Sequence, residues 1–190
     1  YRDFAHASQL IRYLKERFSP CVGGAVYPEG RPDCSWQDNL RFVRIKREAG
    51  AEFFITQLFF ENDHFFRFVE ESSLGESVIP GILPIFGPRQ LEMARKLAGA
   101  HVPKRLLDRL SRYRDDPESY RAAGLDYAAE QITGLVEAGF GFVHIFTLNR
   151  ARDTARLLGM LGGLSSRNPR GSDAGDRASR GEDVASGEAH

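Results

Sequence analysis

The sequence has few cysteines, no excess of either charge and no long hydrophobic run. Its two cysteines, Cys21 and Cys34, lack the spacing of a metal site and could form at most one disulfide. The 26 basic and 26 acidic residues cancel, so no electrostatic field draws nucleic acid or an anionic membrane to the protein. No apolar run approaches the roughly 20 residues that span a bilayer, and no signal peptide is visible. The sequence therefore predicts a cytoplasmic protein without a nucleic-acid, membrane or metal partner.

The first residue is Tyr1 rather than methionine, which predicts a fragment or a chain whose start is missing. The 190 residues nevertheless suffice for one domain with a sizeable core. After Gly162 the sequence consists mostly of Ser, Gly, Asp, Arg and Ala, and large apolar residues almost vanish. We therefore expect one domain over residues 1–161 and a disordered tail over 162–190.

Helical and strand patterns alternate along the predicted domain, which is typical of parallel strands covered by helices. The stretch Ala51–Phe60 is apolar and aromatic, and only Thr56 and Gln57 interrupt it near its end. Apolar spacing and turn residues predict strands at 21–27, 51–60, 78–86 and 141–147. They also predict helices at 1–18, 35–49 and 61–72, several pieces between 88 and 139 with breaks near Gly99, Pro103, Asp115–Pro117 and Gly124, and a last helix ending near 161.

Polar residues follow these strands at the point where each strand ends: Tyr27, Gln57, Gln90 and Arg150. Ligands of parallel sheets bind at the carboxyl ends of the strands, so this convergence predicts a shared site. Three of these residues also have a simpler interpretation, since Gln57 could satisfy nearby backbone groups, Tyr27 could pack in a loop and Gln90 could be an exposed helical residue. The alternation fits a (β/α)8 barrel. A flavodoxin-like sheet gives the same alternation, but a glycine-rich phosphate loop is missing.

Five short motifs strengthen this interpretation: Tyr27-Pro28-Glu29-Gly30, Ala49-Gly50-Ala51, Ile55-Thr56-Gln57-Leu58-Phe59-Phe60, Pro80-Gly81-Ile82-Leu83-Pro84-Ile85 and Phe146-Thr147-Leu148-Asn149-Arg150. With these motifs, in this order and at nearly these spacings, the sequence resembles the methylenetetrahydrofolate reductases over roughly residues 1–161. The resemblance implies an α/β fold in which the chain supplies about the last four strand-helix units, strands five to eight, of a (β/α)8 TIM barrel.

The resemblance also implies an activity, the reduction of 5,10-methylenetetrahydrofolate to 5-methyltetrahydrofolate. Electrons would pass from NAD(P)H, as co-substrate, through bound FAD, and both half-reactions would use one site. The full-length protein is expected to form a homo-oligomer. Because the family's general acid and flavin-side aspartate would both precede Tyr1, the catalytic residue is unknown and the fragment alone is expected to be inactive.

Site residues are implied by the same resemblance. Positions that bind the folate substrate in the family correspond to Gln57, Gln90 and Arg150. Positions that contact FAD correspond to Tyr27, Arg31, Cys34, Asn39 and Lys46. Four positions depart from the family pattern: Arg31 replaces a usual histidine, Asn39 a usual carboxylate, Phe42 a polar FAD contact and Ala94 an aromatic residue over the folate.

Two other hypotheses remain open beside the reductase. The departures at Arg31, Phe42 and Ala94 are compatible with a truncated, non-catalytic paralogue that binds folate or a partner protein. A different flavin barrel, such as a proline dehydrogenase relative, would share the fold, but Thr56-Gln57 and Leu148-Asn149-Arg150 argue against it.

Overall fold

Helices and parallel strands alternate along the chain, as the sequence predicts. The computed structural model describes residues 4–162. Its helices are α1 Ala7–Phe18, α2 Trp36–Glu48, α3 Asn62–Ser72, α4 Pro88–Ala98, α5 Lys104–Ser111, α6 Pro117–Glu137 and α7 Ala151–Leu161. Its strands are β1 Gly23–Val26, β2 Phe53–Thr56, β3 Val78–Ile79, β4 Gly81–Ile82 and β5 His144–Ile145, and a short 3-10 helix, Gly75–Ser77, precedes β3.

The strands form two small parallel sheets. The first has the order β1-β2-β3, with Gly23 opposite Phe53 and Phe54 opposite Val78. The second pairs β4 with β5, with Gly81 opposite His144. Neither sheet closes on itself within the described residues, so the structure is an α/β fold with open parallel sheets.

Local sequence signals account for the starts of several helices. Ser35 caps α2, because its hydroxyl oxygen accepts a hydrogen bond from the backbone N–H of Asp38 at 3.1 Å. Asp116 caps α6 in the same way. Pro88 and Pro117 lie in the first turns of α4 and α6, where their missing N–H groups are not needed. None of the helices within residues 4–162 has the length and apolarity to cross a membrane.

Several predicted boundaries are wrong. The strand predicted at 78–86 is divided into β3 and β4, which belong to different sheets, because Pro80 has no N–H to continue the ladder. The strand predicted at 141–147 is paired only over His144–Ile145. The first helix begins at Ala7, and α6 continues through the break predicted at Gly124. The predicted tail lies, apart from Gly162, outside the described residues.

The core fills the side of the first sheet that faces the helices. On β2, Phe54 and Thr56 are buried, whereas the alternate residues Phe53 and Ile55 are only half-buried. Five phenylalanines contribute to this core, and two of them, Phe59 and Phe65, stack with their centroids 5.5 Å apart. Each buried phenylalanine stabilises the fold by roughly 1.5–3 kcal/mol. The opposite side of the sheet is left without a covering layer within the described residues.

Candidate functional site

A cavity of about 450 Å³ lies on the uncovered side of the first sheet. Strand residues on alternate positions share one face of a sheet, and this places Ala25, Phe53, Ile55 and Gln57 together. The cavity is lined by these residues and by Gly23, Gly24, Tyr27, Thr56 and Phe146. Its position at the ends of β1 and β2 is the one that the strand-end rule predicts.

Gln57 is the amide that lines this cavity. Its backbone N–H donates to the Val26 carbonyl at 2.7 Å, which continues the pairing of β1 and β2 by one residue. Its side-chain Oε1 accepts from the backbone N–H of Leu58 at 3.0 Å. Since a backbone N–H can only donate, the bond fixes which end of the amide is oxygen. The Nε2 group has no partner among the described residues and is free to donate to a ligand.

Tyr27 lines the same cavity from the end of β1. The Arg31 guanidinium lies 5.4 Å from the centroid of the Tyr27 ring and 6.0 Å from that of Phe42. Arg31 also pairs with Asp33 through a bidentate ion pair, which holds the pKa of Asp33 below its usual value. The guanidinium is therefore close to the cavity but already has an anionic partner.

The other three residues predicted to contact FAD are Asn39, Lys46 and Cys34. Asn39 is buried, and its Nδ2 donates to the Tyr27 carbonyl at 3.0 Å. Lys46 reaches across from α2, and its Nζ donates to the Ala25 carbonyl at 2.6 Å. Burial lowers the pKa of Lys46, and the positive charge of Arg31 lowers it further. Cys34 is a half-buried free thiol.

Gln90 and Arg150 do not line the cavity. The amide of Gln90 bridges two backbone groups of its own loop, accepting from Phe86 N at 2.8 Å and donating to Pro84 O at 2.7 Å. Arg150 is exposed at the start of α7, with its guanidinium 3.9 Å from Asp153. The structure thus brings together Tyr27 and Gln57 but not all four strand-end residues, and the substrate contacts of Gln90 and Arg150 stay predictions.

Sequence reasoning missed the aromatic walls of the cavity. Phe53 and Phe146 both line it, and the centroid of the Phe146 ring lies 4.7 Å from that of His144. The alternation of Phe142, His144 and Phe146 was a usable signal for Phe146, since it places these residues on one face of the strand. These rings make the cavity largely apolar around one amide and one phenol.

A second polar cluster lies beside the strand-end loops. Glu61 Oε2 is 3.6 Å from His64 Nε2 and 3.5 Å from His101 Nε2. Glu29 Oε2 accepts from the backbone N–H of His101 at 2.7 Å, and its buried Oε1 has no partner among the described residues. Burial raises the pKa of Glu29. No group of three or more His, Cys, Asp or Glu within residues 4–162 is arranged to hold a metal ion.

Comparison with known families and proteins extends the sequence evidence. A sequence model of the family described as methylenetetrahydrofolate reductase matches residues 1–162. Methylenetetrahydrofolate reductase 2 of Schizosaccharomyces pombe is 35% identical over 184 residues, a match that covers 87% of this chain and 29% of that protein. The 5,10-methylenetetrahydrofolate reductase of Pectobacterium carotovorum is 30% identical over 161 residues, covering 83% of this chain and 54% of that protein. The chain thus spans about a quarter to a half of its relatives' lengths.

A solved structure shares the fold. It is described as an uncharacterized protein from Clostridium thermocellum that binds two copies of 5-methyl-5,6,7,8-tetrahydrofolic acid. The superposition has a TM-score of 0.56 with 16% sequence identity and covers 84% of this chain and 59% of the other. At this identity the likeness concerns the fold alone.

Proposed function

The chain belongs to the methylenetetrahydrofolate reductase family, and on that basis we propose that it forms part of a flavoenzyme that reduces 5,10-methylenetetrahydrofolate to 5-methyltetrahydrofolate with NAD(P)H. The observation that carries the proposal is the family match over residues 1–162 together with the position of Gln57 on the strand-end cavity. Because the chain spans only part of its relatives' lengths, the activity is proposed for the whole protein.

We propose that the two open sheets are the second half of a (β/α)8 barrel. The half-buried residues Phe53 and Ile55 would then face the barrel interior. In the register of β1, the backbone groups of Gly23 and Ala25 point away from β2, towards the free edge. A barrel leaves no such edge without a neighbouring strand, so a further strand would pair there and compete with Lys46 for the Ala25 carbonyl.

In this proposal Gln57 reads a polar edge of the folate ring. Its carbonyl oxygen is held by Leu58, so the free Nε2 group donates, and the ligand atom that it contacts must be an acceptor. The apolar walls formed by Ile55 and Phe146 would limit the access of water to this contact and so strengthen it. A flat ring between such walls would be held in one orientation, as a hydride transfer requires.

The residues around Tyr27 fit an FAD molecule. The half-buried Tyr27 ring offers a stacking surface on the cavity, and the Lys46 ammonium retains two donors after its bond to Ala25. When bound, FAD would supply the two-electron carrier between nicotinamide and folate. Tyr27 and Lys46 would hold it, whereas Arg31 would have to leave Asp33 to reach a phosphate.

The proton for the reduced product must come from elsewhere. The described residues that line the cavity include no carboxylic acid or histidine. Glu29 and Glu61 lie in the neighbouring cluster and do not line it. We therefore assign substrate and cofactor binding to this chain, and proton donation to a group outside the described residues.

Two half-reactions of the protein expressed from the whole gene test this proposal. A Gln57→Glu variant should reduce methylenetetrahydrofolate more slowly than wild type, by roughly tenfold or more. A carboxylate cannot donate the hydrogen bond that the Gln57 amide donates to the folate. Its NAD(P)H oxidation with an artificial electron acceptor should change little. Gln37→Glu, at an exposed position of α2, is the matched control. An equal loss in both half-reactions would contradict a folate contact by Gln57, and a colourless protein that takes up no added FAD would contradict the enzyme.

A non-catalytic folate-binding protein is the second candidate. It is favoured by the absence of an acid among the described residues that line the cavity. This candidate predicts that a flavin-free preparation binds 5-methyltetrahydrofolate in calorimetry and that Gln57→Ala weakens the binding. Flavin-dependent turnover of folate would exclude it.

A further inference from the structure

Helix α6 holds the segment that follows Gln57. Tyr127 and Gln131 are four positions apart, so they lie on the same face of the helix. The Tyr127 hydroxyl donates to the Phe60 carbonyl at 2.8 Å, and the Gln131 Nε2 donates to the Phe59 carbonyl at 3.0 Å. Both bonds are buried. Two consecutive backbone carbonyls after β2 therefore have their partners on one helix rather than in a sheet.

A third hydrogen bond joins the same two parts of the chain, but here α6 supplies the acceptor. Asn62, the first residue of α3, donates from its Nδ2 to the Gln131 carbonyl at 2.9 Å. Segment 57–61 has no helical or strand structure of its own. Buried carbonyls in such a segment need partners from elsewhere in the fold, and α6 supplies them.

Gln57 is therefore held from both sides. Before it, its own N–H pairs with the Val26 carbonyl of β1. After it, the second residue along the chain is Phe59, whose carbonyl accepts the hydrogen bond from Gln131. The Leu58 N–H in turn holds the Gln57 side chain through Oε1. A displacement of Leu58 would release the amide that lines the cavity.

We propose that Tyr127 and Gln131 are positioning residues for Gln57. They fix the backbone at 59–60, which fixes Leu58 and, through it, the orientation of the Gln57 amide. This inference rests on the proposed function for its effect on folate, because only a ligand read by Gln57 is sensitive to that orientation. Neither residue touches the cavity.

The test compares two tyrosines of α6 in the protein expressed from the whole gene. Tyr127→Phe removes the bond to Phe60, whereas Tyr120→Phe is the same change at a buried tyrosine that makes no hydrogen bond to the described residues. We expect Tyr127→Phe to raise the KM for methylenetetrahydrofolate roughly fivefold to tenfold. This is the size expected when the hydrogen bond from the Gln57 amide to the folate is lost. NAD(P)H oxidation with an artificial acceptor and the properties of Tyr120→Phe should stay near wild type. Gln131→Met, which lacks the donor at similar length, should repeat the effect if Tyr127→Phe does not fold.

A double-mutant cycle separates positioning from general damage. If Tyr127 acts through Gln57, Tyr127→Phe has no further effect on folate KM in a Gln57→Ala background. An undiminished effect in that background, or an equal loss in both half-reactions, overturns the proposal. If the wild-type protein reduces no folate, the proposed function fails by itself. Positioning is then decided by hydrogen exchange at the Leu58 amide: exchange roughly tenfold faster in Tyr127→Phe but not in Tyr120→Phe supports it, and unchanged exchange overturns it.

Discussion

The hydroxyl oxygen of Thr56 accepts a hydrogen bond from the backbone N–H of Gly81 at 2.8 Å, and the bond is buried. It joins the end of β2 to the start of β4. The ladder between β2 and β3 stops at Ile79 because Pro80 has no N–H to donate. The Thr56 side chain takes the next N–H along the chain and so connects the first sheet to the second.

Replacement of Thr56 by valine tests this connection. Valine has nearly the same shape but no acceptor, so the Gly81 N–H would be buried without a partner, at a cost of about 1–3 kcal/mol. The melting temperature should fall by about 2–4 °C for each kcal/mol in a protein of this size. Thr56→Ser keeps the hydroxyl and should lose less stability than the valine variant. A valine variant as stable as the serine variant would show that the bond contributes nothing.

Helix positions were predictable because their signals are local. The cap at Ser35 and the prolines near the starts of α4 and α6 act within one turn, and α2 begins where the sequence indicates. The division of the strand predicted at 78–86 has a local and a non-local part. Pro80 ends the ladder with β2, but the partners of the groups that follow, Thr56 for the Gly81 N–H and His144 for the Pro80 carbonyl, lie elsewhere in the chain.

The candidate site was predictable to a similar degree. Gln57 and Tyr27 lie on one cavity because alternate strand residues share a face and neighbouring parallel strands end together. The partners of Gln90 depend on the path of the loop at 84–86, and those of Lys46 on the free edge of β1. Neither the path of this loop nor the position of this edge follows from the spacing of residues near these side chains.

Two helical glycines should respond oppositely to alanine. A Cβ on Gly124 of α6 would lie 1.8 Å from the Ile85 carbonyl oxygen, so Gly124→Ala must displace the helix or the segment before α4 and should cost about 2–3 kcal/mol. A Cβ on Gly159 of α7 would meet no atom of the described residues within 4 Å. Gly159→Ala should therefore stabilise the protein by about 0.5–1 kcal/mol, because alanine loses less backbone entropy. Urea unfolding measures both changes, and the same sign for both would refute the packing argument.

Glu29 should make the stability depend on pH. Burial raises the pKa of its carboxyl group above the ordinary value, so the folded state favours the protonated form. This contribution is fully present below the unfolded pKa of about 4.3 and is lost as pH rises through the folded pKa. Glu29→Gln keeps an acceptor for the His101 N–H and has no such loss. It should gain stability over wild type across this window, by about 1 kcal/mol or less because the half-buried carboxylate is partly screened by solvent.

The control for Glu29 is Glu48→Gln, at an exposed position of α2. Urea unfolding of the three proteins between pH 4 and pH 7 gives the comparison. A Glu29→Gln variant whose stability runs parallel to wild type over this range would show that the carboxyl group titrates alike in the folded and unfolded states.

The ammonium group of Lys46 should titrate below an ordinary lysine. Burial is the main cause of its lowered pKa, and the charge of Arg31 adds to it. The unfolded chain, with a lysine pKa of about 10.4, therefore binds more protons than the folded protein between the two values, and the Lys46 contribution to stability rises with pH there. The Cε chemical shift of Lys46, followed by NMR against pH, gives the folded pKa directly, and the same signal in urea gives the reference.

Arg31→Gln should move the folded pKa of Lys46 upward by removing the neighbouring charge. A Lys46 that titrates in the folded protein at or above its value in urea would contradict both the burial and the charge effect.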